Sequence, residues 1–174
     1  MKQKAIFLDR DGVINIEKDY LYKIEDFEFI DGVFEALRYL QSKGFLLFIL
    51  TNQSGIGRGF YTQDDFLKLT KWMIEKFELE EIKISRVEFC PHLPDNDCEC
   101  RKPKTGMIDN ISNIYEIDFE NSWLIGDKKS DIECAKNAMI KNTIQAKSGH
   151  SFETSIATQT IETLNLKSIS KLIP

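Results

Sequence analysis

Long apolar runs are missing from this 174-residue chain, and the longest is Phe45 to Leu50. A membrane span needs about 20 such residues, so none is expected. The N-terminal apolar stretch, Ala5 to Leu8, is too short for the core of a signal peptide. Positive charge is not in excess either: 23 Lys and Arg face 28 Asp and Glu, a formal net charge of -5. No global field therefore draws the protein onto nucleic acid, and only Arg101-Lys102-x-Lys104 and Lys128-Lys129 form local basic clusters. Proline is scarce, and the three internal prolines (Pro91, Pro94 and Pro103) all fall within Cys90 to Lys104. Four cysteines without an export signal suit a reducing compartment, where metal binding or burial is expected rather than disulfides. The protein is expected to be cytoplasmic, with neither a membrane nor a nucleic acid as partner.

What remains is an ordinary globular composition, 42% hydrophobic and 29% charged. The length suits one domain over residues 1–174, and nothing in it demands more than a monomer. Apolar runs alternate with segments of helical period. Ala5–Leu8 and Phe45–Leu50 read as strands covered on both faces, followed by strands at Val87–Phe89, Trp123–Ile125 and Thr143–Ala146. A helix is expected from Asp31 as N-cap through Val33, Ala36, Leu37 and Leu40 to a stop at Gly44. A second opens at Thr62, with Asp65 completing a capping box and Phe66, Leu69, Met73 and Phe77 facing inward. Further helices are expected over Met107–Tyr115 and Asp131–Met139. The tail beyond Ser151 reads as a short edge strand near Thr160 and a final helix over Leu166–Leu172. This alternation predicts an α/β fold with a doubly wound, mostly parallel sheet.

In such sheets ligands bind beyond the carboxyl ends of the strands. Polar segments follow the apolar strands at Asp9-Arg-Asp-Gly12, Thr51-Asn-Gln-Ser54, Arg101-Lys102 and Gly126-Asp-Lys128. Asp9 and Asp11 leave one face of a strand end, with Cα atoms about 6.7 Å apart. Two carboxylates so close repel unless a cation offsets them, and with a hard cation they suit a Mg²⁺ site that takes phosphate. One acid can then attack while the other moves protons. The pair alone suits an ordinary strand-end turn equally well. Asp127 and Asp131 could supply further carboxylates, or merely serve the start of a helix. Thr51 and the glycine-rich Asn52–Gly59 loop suit phosphate oxygens, and Lys102 and Lys128 would add positive charge.

The proline loop carries a separate signal. Cys90-x-His92, five residues, then Cys98-x-Cys100 offers three thiolates and one imidazole, the ligand set of a closed structural zinc site, against free or oxidised thiols. Such a site over 90–102 would fix Arg101 and Lys102, which follow its last ligand directly. Cys134, within a helix, reads as a small buried apolar residue.

These segments, in this order, resemble the haloacid-dehalogenase superfamily of phosphatases. Phe7-Leu-Asp-Arg-Asp-Gly12 is similar to its nucleophile motif, Thr51-Asn52 to its hydroxyl motif, Lys102 to its lysine motif, and Gly126-Asp127 with Asp131 to its acidic motif. The resemblance implies that Asp9 forms an aspartyl-phosphate, that Asp11 is the acid and base, and that Thr51 and Lys102 hold the phosphoryl oxygens. It also implies Mg²⁺ on the Asp9 carboxylate, the Asp11 backbone carbonyl and Asp127. The zinc loop resembles the branch that holds heptose-1,7-bisphosphate 7-phosphatases and histidinol-phosphate phosphatases, with Zn²⁺ on Cys90, His92, Cys98 and Cys100. Thr51–Gly59, Arg101–Met107, Phe27–Gly32 and Gly126-Asp-Lys128 resemble the heptose enzymes, whereas the short His92–Cys98 gap and Pro91-His-Leu-Pro94 are similar to the histidinol-phosphate enzymes.

The implied reaction removes the 7-phosphate of D-glycero-D-manno-heptose 1,7-bisphosphate on the way to nucleotide-activated heptose for surface polysaccharide such as lipopolysaccharide. Histidinol phosphate is the alternative substrate. A related DNA-end phosphatase shares the Thr-Asn-Gln and Gly-Arg-Gly patterns, but the acidic balance argues against a nucleic-acid 3'-phosphate. A phospho-accepting receiver module would place its acidic pair and its acceptor on different strands and has no zinc loop. The spacing leaves no room for a cap domain, so short loops must bind the small sugar phosphate. The candidate substrate-binding residues are Glu17, Lys18, Asp19, Tyr20, Asn52, Gln53, Ser54, Arg101 and Lys128.

Overall fold

The computed structural model describes residues 1–174. Six strands form one parallel sheet: β1 (Ala5–Leu8), β2 (Leu46–Asn52), β3 (Ile84–Cys90), β4 (Trp123–Gly126), β5 (Asn142–Ala146) and β6 (Gln159–Ile161). Their order in the sheet is β3-β2-β1-β4-β5-β6. The chain reverses its direction of winding between β1 and β4, the place where open α/β sheets form a binding crevice.

Helices cover both faces, and the strands show why they read as unbroken apolar runs. Ile6 and Leu8 of β1, with Leu47 and Ile49 of β2, enter a core built with α1 (Val33–Ser42), α3 (Gln63–Leu79) and α6 (Leu166–Leu172). Their alternating neighbours Ala5, Phe7, Phe48 and Leu50 enter a second core against α4 (Gly106–Ser112) and α5 (Lys129–Asn137). Each residue in a strand points opposite to the next, so a strand covered on both sides must be apolar throughout. A one-turn helix, α2 (Ser54–Gly57), follows β2 directly. Cys134 is buried in the second core, as its place on α5 predicts, and its thiol donates to the Lys104 carbonyl at 3.3 Å.

The Thr62–Asp65 capping box forms in full at the head of α3. The tail forms its edge strand around Thr160 and its helix over Leu166–Leu172, with Tyr39 Oη of α1 donating to the Ile173 carbonyl at 2.9 Å. Beyond shifted ends of β2, α4 and α5 and the helical turn α2 in what reads as a loop, two details differ from expectation. Asp31 is not the cap of α1, because the chain enters that helix through Gly32 in a left-handed turn (φ 79°) with no side-chain cap. A side chain on Gly32 would also meet Asn165 at 2.9 Å. The second difference is β3, which starts at Ile84 rather than Val87, since the first half of this edge strand is only partly buried and carries Ser85 and the exposed Arg86, which break the apolar run. No inserted cap domain interrupts the α/β fold, and no helix is long and apolar enough to cross a membrane.

Candidate active site

Five consecutive strand positions, β3 to β5, deliver polar residues to one edge of the sheet. Beyond them opens a cavity of about 300 Å³ with only three hydrophobic residues in its wall. Asp9, Asp11, Glu17, Lys18, Asp19, Tyr20, Asn52, Gln53, Ser54, Arg101, Lys102 and Lys128 all line it, so twelve of the fourteen residues expected at the catalytic, Mg²⁺ and substrate positions come together there. The other two, Thr51 and Asp127, are buried behind that wall.

Asp9 and Lys102 form the floor. Lys102 Nζ lies 2.9 Å from Asp9 Oδ1 and 2.6 Å from Asp131 Oδ1, and also donates to the Leu50 carbonyl at 2.7 Å. Burial opposes the lysine's charge, but Asp131 and Asp9 together push its pKa up. It is therefore a fixed cation rather than a proton carrier. Burial pushes the Asp9 carboxyl well above the ordinary carboxylate range, and Asp131 and Asp127 add to the push against the charge of Lys102. Burial and Asp131 likewise raise Asp127 to about 6. One carboxylate oxygen each from Asp9, Asp127 and Asp131 lies within 4.8 Å of the others. Asp127 Oδ1 is buried without a hydrogen-bond partner. An oxygen-rich, over-acidic cluster with an orphaned carboxylate oxygen fits a hard divalent cation. Asp131 has a separate task as well: its Oδ2 accepts from the Lys128 backbone N–H at 3.0 Å, at the head of α5.

Asp11 is in a different electrostatic setting. Its carboxylate accepts from Arg10 Nη2 at 2.9 Å, Asn15 Nδ2 at 3.0 Å and Gln53 Nε2 at 3.1 Å. Burial pushes its pKa up, but the Arg10 charge and these donors outweigh that and hold it below the ordinary value. The two acids of one motif thus differ, one driven toward the neutral form and the other held ionised.

Gln53 Nε2 also donates to Thr51 Oγ1 at 2.7 Å, and Tyr61 Oη donates to Gln53 Oε1 at 2.5 Å. The Gln53 side chain thus braces Asp11 and Thr51 from the cavity wall. Asn52 braces Lys102: its Oδ1 accepts from the Lys102 N–H at 3.1 Å and its Nδ2 donates to the Lys102 carbonyl at 3.3 Å. Lys18 Nζ donates to the Asp26 carbonyl at 2.6 Å. Burial, with Asp11 nearby, raises Glu17 to about 7.

Next to this edge, Cys90, His92, Cys98 and Cys100 gather their donor atoms within 4.8 Å. Donors arranged tetrahedrally around zinc lie about 3.8 Å apart for two sulfurs and about 3.5 Å for sulfur and nitrogen. Here Cys90 Sγ lies 3.8 Å from Cys98 Sγ and 3.5 Å from His92 Nδ1, and His92 Nδ1 lies 3.2 Å from Cys100 Sγ. The cluster could bind zinc. Arg101 Nη1 donates back to the His92 carbonyl at 3.5 Å, which ties the cavity rim to this loop.

Comparison with known proteins places the chain. The family described as Polynucleotide kinase 3 phosphatase matches residues 4–159. A D-glycero-alpha-D-manno-heptose-1,7-bisphosphate 7-phosphatase of Campylobacter jejuni is 54% identical over 144 residues, 83% of each chain. The chain belongs to the heptose-1,7-bisphosphate 7-phosphatase family. It is a phosphatase of the haloacid-dehalogenase superfamily. A D-glycero-beta-D-manno-heptose-1,7-bisphosphate 7-phosphatase of Pasteurella multocida is 44% identical, over 84% of this chain and 83% of the relative. Among solved structures, a D,D-heptose 1,7-bisphosphate phosphatase from B. bronchiseptica, complexed with magnesium and phosphate, superposes with a TM-score of 0.85 at 26% identity. That match covers 97% of this chain and 98% of the other.

Arg10, Asn15, Tyr61 and His150 belong to the site without having been expected. Arg10 lies between the two acids of the motif, and its 1% exposure is what lets its charge act on Asp11. His150 Nδ1 lies 2.5 Å from Asp127 Oδ2. The strand-end rule, applied to β5 as to the other strands, points straight to Lys147–His150.

Proposed function

We propose that this phosphatase removes the 7-phosphate of D-glycero-D-manno-heptose 1,7-bisphosphate through a phosphorylated Asp9. The observation that carries the reading is Asp9 at the floor of a polar cavity, gripped by Lys102 and facing the short loops that a small sugar needs. An Asp9 carboxylate oxygen attacks phosphorus and the bond to the sugar oxygen breaks. That oxygen takes its proton from Asp11. Asp11 rests ionised and is loaded when the phosphate's negative charge arrives beside it, since like charge favours the protonated carboxyl. Asp11 then withdraws a proton from water, which attacks the aspartyl-phosphate. The bond to Asp9 breaks, and inorganic phosphate leaves. Thr51 and Lys102 hold the phosphoryl oxygens. Mg²⁺, held by the Asp9 carboxylate, the Asp11 backbone carbonyl and Asp127, supplies positive charge that offsets the carboxylates and the phosphate.

Glu17, Lys18, Asp19, Tyr20, Asn52, Gln53, Ser54, Arg101 and Lys128 form the sugar-binding wall, with Arg101 and Lys128 as its cations. The zinc at Cys90, His92, Cys98 and Cys100 is structural and keeps Arg101 and Lys102 in register with the sheet edge. Residues 1–174 act as one phosphatase domain, monomeric and cytoplasmic, in the supply of nucleotide-activated heptose for surface polysaccharide such as lipopolysaccharide. The names of the relatives, both α and β heptose bisphosphate phosphatases, support this substrate class.

One observation favours a second substrate: only five residues separate His92 from Cys98, which suits histidinol phosphate. The chemistry is tested apart from the substrate. Acid quenching during turnover, followed by intact-mass and peptide analysis, should find one phosphoryl group on Asp9. Asp9→Asn should lower turnover by about 10⁴-fold or more while folding normally. Substantial turnover by that folded, metal-replete variant would sink the nucleophile assignment.

A further inference from the structure

Behind the cavity, the chain leaving β5 folds back onto the sheet edge. Ser148 Oγ donates to the Gly12 carbonyl at 2.6 Å, which pins this segment to the loop that carries Asp9 and Asp11. Gly149 then passes flat against Asp127: a Cβ there would lie 2.1 Å from Asp127 Oδ2 and 2.7 Å from Gly12 Cα. Gly12, in a left-handed turn (φ 85°), is equally confined, since its own Cβ would lie 2.6 Å from both Asp127 Oδ2 and Gly149 Cα. Two glycines are thus what allow two backbones to close around one carboxylate. His150 completes the enclosure, with Nδ1 at 2.5 Å from Asp127 Oδ2. From below, Gln145 Nε2 donates to the Asp127 carbonyl at 3.1 Å, and Ser155 Oγ donates to Gln145 Oε1.

The consequence is an asymmetric carboxylate. Oδ2 has a partner, whereas Oδ1 is buried and has none. The side chain itself is fully enclosed. An ionised carboxylate oxygen only accepts hydrogen bonds, so Nδ1 must carry the hydrogen. Donors of this kind, placed behind a metal-ligating group, fix its orientation.

We propose that Ser148–His150 is a strap that orients Asp127, with His150 the positioning residue that occupies Oδ2 and thereby reserves Oδ1 for the divalent cation. The inference rests on the Mg²⁺ reading above and goes beyond it by assigning a residue outside the four superfamily motifs. His150 does not itself line the cavity; a ring nitrogen lies within 4.8 Å of carboxylate oxygens of both Asp127 and Glu17, and its hydrogen bond goes to Asp127.

The test is calorimetric titration of MgCl₂ into the zinc-loaded, Mg²⁺-free protein. The variants are His150→Ala, His150→Asn and Asp127→Asn. The His150 side chain is half exposed, so its removal leaves no cavity. Asn carries its amide nitrogen at the same distance along the side chain as Nδ1, so it can restore the hydrogen bond. Wild-type protein should bind Mg²⁺ saturably and Asp127→Asn should lose that binding. His150→Ala should bind about tenfold or more weakly, and His150→Asn should recover most of the loss. Equal Mg²⁺ affinity in His150→Ala and wild type would overturn the strap while leaving the Mg²⁺ reading intact. Equally weak binding by both His150 variants would also overturn it, because the ring rather than its hydrogen bond would then matter. Wild-type binding that survives Asp127→Asn would instead remove Asp127 from the cation site, and the strap with it.

Discussion

Single side chains here are decided by their neighbours rather than by their type. Asp9 and Asp11 are two residues apart, yet the first is crowded by Asp127 and Asp131 while the second is wrapped by Arg10, Asn15 and Gln53. Sequence reading places both acids at one strand end. It does not tell them apart, because Asp127, Asp131 and Gln53 arrive from distant strand ends and the burial that gives the adjacent Arg10 its force is a property of the fold. Glu17 offers a direct check of this electrostatic account. Its pKa rises from 4.5 to about 7, chiefly through burial, so the folded protein holds this proton more tightly than the unfolded chain. Stability must then fall as pH rises from about 4.5 to about 7, and stay lowered above that. Glu17→Gln removes the penalty. In Mg²⁺-free buffer its melting temperature should match wild type near pH 4.5 and exceed it by about 2 °C at pH 8, a modest gap because the side chain is partly exposed. A gap that stayed constant with pH, or that shrank toward pH 8, would contradict it.

At the level of elements, legibility followed burial. β1 and β2 are covered on both faces and stand out as apolar runs, and α3 and α6 keep clear helical stripes or caps. β3 is an edge strand, so only its inner half stands out. The start of α1 is set by Gly32 packing against Asn165, a contact across 133 positions that no local pattern records. The zinc loop belongs to this scale too. Cys and His spacing alone named its four members, and their separations suit one tetrahedral centre. A structural zinc can contribute ~10 kcal/mol or more of apparent folding free energy. Cys98→Ser should therefore lose stoichiometric zinc and lower the melting temperature by about 5 °C or more, at about 2–4 °C per kcal/mol. Activity at low temperature should decline less steeply than stability. A variant that keeps one zinc per chain would show that Cys98 is not a ligand.

Across the whole molecule, the sheet order explains why residues from five strand ends meet at one place. The reversal between β1 and β4 opens the crevice, the segments after β1, β2, β3 and β4 line it, and the loop after β5 packs behind it against Asp127. The strand-end rule, applied to polar segments, locates this convergence from sequence. The same rule reaches Lys147–His150 at the end of β5, but the role of Ser148–His150 depends on close backbone approach to Asp127, which no sequence pattern records. Without a cap domain, short loops surround a polar cavity of about 300 Å³, and a net charge of -5 supplies no long-range attraction for nucleic acid. The most direct measurement is phosphate release in Mg²⁺ from a panel of both anomers of D-glycero-D-manno-heptose 1,7-bisphosphate, histidinol phosphate and a 3'-phosphorylated oligonucleotide. The account predicts loss of one phosphate per heptose bisphosphate, with the sugar 1-phosphate left intact. Far faster turnover of histidinol phosphate or of the oligonucleotide would contradict it.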